Sequence, residues 1–148
     1  MPSIIPSYVY TLFACMVVGA LLIMASSVSI ANVKNQADLQ KLKNIADSVA
    51  TDGFELVSQV RTNNLTANVI LNVPISVGNQ RYWLRLDNDA FRSWVDIGFG
   101  TNPLSSQQRT YIPSMVSASG TFVSGDGFPE LRCYLNDSTL CLELSGGS

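Results

Sequence analysis

Residues 8–30 read YVYTLFACMVVGALLIMASSVSI, a run with no charge, no amide side chain and no proline. As an α-helix it would be about 35 Å long, enough to cross a hydrocarbon core of about 30 Å. The charge-free region is wider still, because every Lys, Arg, Asp and Glu lies between Lys34 and Glu143. A cleaved signal peptide fits poorly: the run is too long for an h-region, no basic n-region precedes it, and no small-residue cleavage site follows. A helix buried in its own protein also fits poorly, since a chain of 148 residues has too little left to surround it. The segment is therefore expected to sit in lipid at some stage. In water each large apolar side chain left exposed forfeits about 1.5–3 kcal/mol.

The flanking charges conflict with a simple membrane orientation. Lys34, Lys41 and Lys43 follow the apolar run and no basic residue precedes it, which places the C-terminal part in the cytoplasm by the positive-inside rule. That part nevertheless contains Cys133, Cys141 and two N-glycosylation sequons, Asn64-Leu65-Thr66 and Asn136-Asp137-Ser138. Those features fit an extracytoplasmic location. A basic leader removed from the front of the chain would resolve the conflict.

The helical pattern continues past the apolar run. Leu39, Leu42, Ala46, Val49, Gly53, Leu56 and Val60 recur at alternating spacings of three and four, a heptad-like seam with Lys41, Lys43, Asp47, Asp52 and Glu55 off it. No proline falls between Pro6 and Pro74. A single helix over residues 4–60 would be about 85 Å long, apolar all round in its first half and amphipathic in its second. The seam can pack on the chain's own C-terminal domain or on other copies. Gly53 marks a bend or a close approach. Cys15 with Gly19, Ala14 with Ala20, and Ala25 with Ser26 offer small surfaces for helix contact. Pro2 and Pro6 limit regular helix at the start.

From about Leu65 the period becomes that of strands. Expected strands are 67–73, 80–86, 93–99, 108–112, 115–119, 120–124, 131–136 and 139–144, separated by Val77-Gly78-Asn79, Asp87-Asn88-Asp89, Thr101-Asn102-Pro103 and Ser124-Gly125-Asp126-Gly127. The expected fold is α+β: a long N-terminal helix over 1–62 and a small antiparallel β-sandwich over 63–148. So small a domain is marginal alone, and the helix's second half would help to close its core. Cys133 and Cys141 flank a strand–turn–strand segment, and a hairpin there is expected to bring the two sulfurs into a disulfide.

Chemistry is hard to find. The absence of histidine excludes His-activated nucleophiles, His acid–base relays and His-ligated metal. A net charge of −2 gives no basic footprint for nucleic acid. Asp87, Asn88, Asp89 and Asp96 lack the glycine and terminal glutamate of an EF-hand loop and read as an Asx-rich turn. Glu130, Arg132 and Glu143 read as cross-strand pairs, and Gly98-Phe99-Gly100 lacks the third glycine of a phosphate loop. Tyr82, Trp83 and Trp94 alternate with polar residues as core aromatics do, with a carbohydrate platform as the alternative. No catalytic residue, cofactor or metal is expected.

A helix wholly apolar and then amphipathic, joined to a small β-domain, resembles the layout of type IV pilin-like proteins, in particular their archaeal branch of pilins and archaellins. The resemblance covers the whole chain as a layout. Position 5 is Ile5 rather than the glutamate of bacterial pilins. The resemblance implies a leader cut by a prepilin peptidase, a membrane-resident precursor, and mature helices that leave the membrane to bundle as a filament core. Leu12, Phe13, Val17, Gly19, Leu21, Leu22, Ile23, Leu39, Leu42 and Val49 would then line the assembly surface. It further implies β-domains on the outside, often immunoglobulin-like and often glycosylated, here at Asn64 and Asn136. The expected function is a structural subunit of an extracellular surface filament, a homopolymer of this chain that binds no nucleic acid. The alternative is a membrane-anchored extracytoplasmic accessory protein whose β-domain binds an envelope partner. A third reading is a membrane-anchored binding module or enzyme using the β-domain surface, with Tyr82, Trp83 and Trp94 as the residues to examine.

Overall fold

The computed structural model describes residues 4–147; Pro2, invoked above for the start of the chain, lies outside them. The chain forms α1 (Ile4–Asn63), then β1 (Ala67–Ile70), β2 (Tyr82–Asn88), β3 (Ser93–Phe99), β4 (Gln108–Ile112), β5 (Ser117–Val123), β6 (Phe128–Asn136) and β7 (Thr139–Gly147). The expected α+β class and the helix-then-strands order hold. Pro6 falls in the first turn of α1, where its missing N–H would have no intrahelical acceptor, so it is tolerated. At the other end Asn64 adopts φ 52° and donates its N–H to the Val60 carbonyl at 2.8 Å. That is the left-handed cap that stops a helix.

The chain divides into two compact units, Met1–Ala37 and Asp38–Ser148. The division falls inside α1, before the boundary expected at 62/63, so the amphipathic half of the helix belongs with the strands. In the second unit all seven strands join one sheet in the order β1-β6-β7-β5-β2-β3-β4. Every pairing is antiparallel except β5 with β7, which run parallel. The strands therefore make one continuous sheet with a helix on it, where the sequence suggested two facing sheets. The reason lies in the core. Leu42, Ala46, Val49, Leu56, Val57 and Val60 of α1 are buried in the same cluster as Leu84, Val95, Ile97, Leu131 and Leu142 of the strands, so the helix fills the place of a second sheet.

Gly53 reports the curvature of that sheet. A Cβ placed there would lie 3.2 Å from Leu142, 3.6 Å from Leu131 and 3.7 Å from Ile112. Leu131 is on β6 and Ile112 on β4, five strand positions apart, which in a flat sheet is about 24 Å. One point on the helix touches both, so the sheet is curled around α1. Gly53 is thus a close-approach glycine rather than a bend. Gly120 has a comparable role within the sheet. With φ 119°, its missing Cβ would fall 2.1 Å from the Leu144 carbonyl oxygen, which lets the two strands expected at 115–119 and 120–124 run on as the single strand β5.

Candidate functional site

The most exposed apolar surface lies on the first compact unit. Fifteen large apolar side chains between Tyr8 and Val33 are exposed, and they face every direction around α1. At about 1.5–3 kcal/mol each their exposure to water would forfeit tens of kcal/mol, more than the roughly 5–15 kcal/mol that holds a typical domain together. This length of α1 must be covered by something other than water. Three of its hydroxyls are bonded within the helix: Thr11 Oγ1, Ser26 Oγ and Ser27 Oγ donate to the carbonyls of Ser7, Leu22 and Ile23 at 2.9, 2.8 and 2.9 Å. Hydroxyls spent in this way on the preceding turn are suited to an apolar environment. Space beside Gly19 is open, with nothing within 4 Å of a Cβ placed there, so another backbone could approach closely. The segment is one helix long and apolar enough to cross a membrane.

The residues expected to line an assembly surface divide into two groups. Leu12, Phe13, Val17, Leu21, Leu22 and Ile23 are exposed, and Gly19 is accessible with them. Leu42 and Val49 are buried in the core of the β-domain, and Leu39 packs against it. Leu42 and Val49 are already occupied within the chain, and Leu39 partly so. Both alternatives for the seam were physically open, and the burial of its second half under the chain's own sheet decides for intrachain packing over residues 42–60.

The expected disulfide is absent: Cys15, Cys133 and Cys141 are free thiols. Register explains this. Cys133 sits opposite Leu142, and Cys141 opposite Tyr134, so the two cysteines are one residue out of step and point to opposite faces of the sheet. Cys133 faces the core, where burial and then the neighbouring Cys141 push its thiol pKa up. The turn between β6 and β7 sets that register. Asn136 pairs with Thr139 across Asp137 and Ser138, at φ 44° and 74°, the two-residue loop with both φ positive that suits a right-twisted hairpin.

Both sequon asparagines, Asn64 and Asn136, are exposed. They lie at the same end of the β-domain, because a groove of about 530 Å³ is lined by Arg61 of α1 and Asn64 just past it, Asn88 at the end of β2 and Asp89 beyond it, Met115, and Ser138 and Thr139 of the β6–β7 hairpin.

The aromatic residues proposed as a carbohydrate platform do not form one. Tyr82 and Trp83 are buried, with the Tyr82 hydroxyl donating to the Pro74 carbonyl and burial pushing its pKa up to about 12. Trp83 is pressed against Gly98, where a Cβ would come within 2.8 Å of the indole ring. Trp94 remains half-buried, packed edge-on to Tyr111 with ring centroids 6.1 Å apart and under the Arg109 guanidinium at 4.4 Å.

Sequence reasoning missed the ion cluster behind these rings. Asp96, with no exposed surface, accepts hydrogen bonds from Arg109 Nε at 2.7 Å and Nη2 at 3.1 Å, Arg85 Nη2 at 3.1 Å and Trp94 Nε1 at 3.2 Å. Burial would raise the Asp96 pKa, but the hydrogen bonds from Arg109 and Arg85 outweigh it and hold the carboxyl below its ordinary value. An aspartate inside an otherwise apolar strand was the available signal. Asp89 is spent on the turn, its Oδ1 accepting the N–H groups of Phe91 and Arg92 at 2.7 Å each, and those bonds lower its pKa. Arg132 pairs in register with Glu143 and Glu130 accepts from Asn68 at 2.7 Å, as expected of cross-strand neighbours. Among the described residues no three His, Cys, Asp or Glu side chains gather as a metal site would need.

Comparison of the chain with protein-family models, with curated proteins and with solved structures finds no match.

Proposed function

We propose that the chain is a structural subunit of an archaeal type IV pilus-like surface filament, a homopolymer that assembles through its N-terminal apolar helix and carries the β-domain outside. One observation carries the reading: an exposed, predominantly apolar surface over residues 8–33 in which Thr11, Ser26 and Ser27 are bonded to the preceding turn. Such a surface suits lipid in a precursor and helix neighbours in a polymer alike, since both are apolar. The role is structural rather than catalytic. The titratable groups of the β-domain described above are committed to ion pairs, strand pairs and turns.

A second reading, a membrane-anchored extracytoplasmic accessory protein, is favoured by a different observation. The β-domain closes its core with its own helix half and needs no neighbouring copy to do so. Electron microscopy of native material, with mass spectrometry of its N-terminus, separates the two. Filaments with apolar helices packed at their axis and an N-terminus made by cleavage are expected. Discrete particles that need detergent, with the helix surrounded by lipid, would replace the filament reading with the accessory one.

A further inference from the structure

We propose that the groove at the Asn64 end of the β-domain seats an N-linked glycan carried by Asn64, and that Asn64 is modified in preference to Asn136. The inference rests on the reading that puts this domain outside the cytoplasm. Three observations carry it. First, Asn64 is itself part of the groove wall and is exposed, so the occupant's attachment point is already in place. Second, the groove's volume of about 530 Å³ falls in the range of ligand sites, roughly 300–1,000 Å³. Its lining mixes hydrogen-bonding groups (Arg61, Asn64, Ser138, Thr139) with the apolar Met115 and Leu135. Sugar rings present both hydroxyls and apolar C–H faces, and match such a wall. Third, the two sequons differ in their relation to the sheet. Asn64-Leu65-Thr66 lies in the exposed connection between α1 and β1, outside any strand. Asn136-Asp137-Ser138 is locked into a two-residue hairpin turn that pairs Asn136 with Thr139. A transferase that must bend the sequon into its own site has access to the first without unpicking a strand pair.

In the modification the Asn64 side-chain nitrogen forms a bond to the anomeric carbon of a sugar. The bond from that carbon to the oxygen of a lipid-linked phosphate breaks, the amide gives up one proton, and the lipid phosphate leaves. Once attached, the saccharide is tethered beside the groove at an effective concentration of about millimolar or more, so weak contacts with the wall are enough to seat it.

The test uses full-length protein purified from its native host, as wild type, T66A and N136Q; T66A destroys the first sequon while leaving Asn64 as the helix cap. Peptide mass mapping reads sugar at each asparagine, and dilute hydrogen peroxide reads Met115, which is 65% exposed in the bare chain. The expected result is sugar on Asn64 at higher occupancy than on Asn136. Met115 should form sulfoxide about two- to threefold more slowly in wild type and N136Q than in T66A, in proportion to the sulfur surface covered. Bare Asn64, occupancy of Asn136 equal to or above that of Asn64, or equal Met115 oxidation in wild type and T66A would each overturn the proposal. Filaments built of protein with bare Asn64 would do so while leaving the filament reading intact.

Discussion

Replacing Asp96 with asparagine tests the ion cluster with almost no change of volume. The side chain is fully buried, and the substitution removes the charge to which Arg109 donates twice and Arg85 once. Removing one partner from a buried pair costs about 3–5 kcal/mol. Here the arginine side chains are 40% and 34% exposed, so water recovers part of the loss and about 2–3 kcal/mol is expected. At about 1–1.5 kcal/mol per molar urea for a domain of this size, the unfolding midpoint should fall by about 2 M with an unchanged slope. The assay is urea unfolding of the full chain in detergent, followed by tryptophan fluorescence; Trp94 donates to Asp96 and so reports on the site directly. The pH dependence has a definite sign. The folded Asp96 pKa lies below its ordinary value, so the stabilisation is complete above about pH 4, where the unfolded aspartate is ionised, and is lost as pH falls through the lowered folded value. Wild type and variant should therefore differ equally at neutral and mildly acidic pH and converge below about pH 4. A midpoint change under about 0.3 M at neutral pH, or a gap that persists at strong acid, would refute the assignment.

Three further substitutions or labels probe other parts of the molecule. Leu42→Ala should lower β-domain stability by about 2–5 kcal/mol, whereas Leu21→Asp should leave the domain's unfolding unchanged and abolish filaments; matched unfolding curves and micrographs check the division of α1 into two roles. Gly120→Ala should cost more than about 3 kcal/mol, because the new methyl would collide with the Leu144 carbonyl and the residue would be held at positive φ; thermal unfolding in detergent measures it. Under denaturing, non-reducing conditions the chain should take up three equivalents of a thiol reagent, one for each of its 3 cysteines. Uptake of one would mean that Cys133 and Cys141 are joined after all.

How much of this was readable in advance depended on whether the determinant was local. The helix over residues 4–63 was legible because its apolar residues repeat at three and four, and β3 and β4 because alternation and turn residues bound them on both sides. Strand order was not, since nothing local says that β5 will lie parallel to β7 or that the sheet will curl around α1. The disulfide expectation failed over a single residue. With Asn136-Asp137-Ser138 taken as a three-residue turn, Cys133 meets Cys141; with the two-residue turn actually formed, it meets Leu142. The apolar surface of α1 was half legible: an all-round apolar helix announces that it must be covered, while a one-sided seam such as Leu42 and Val49 fits either an intrachain or an interchain partner until burial is known. The groove beside Asn64 was invisible, because it gathers residues from four separate stretches of chain.

The position of β7 bears on how the molecule is made. The last strand in the sequence is not at an edge but third in the sheet, hydrogen-bonded to β6 on one side and β5 on the other. Without it β1 and β6 have no link to the remaining strands, and the two halves of the curl cannot meet around the helix. During synthesis the amphipathic half of α1 emerges long before this strand, so its apolar seam must wait uncovered, or shielded by a chaperone, until β7 arrives. A ribosome that stalls before about residue 139 would leave a chain that cannot fold its β-domain. Folding of that domain is thereby a check that translation has reached β7.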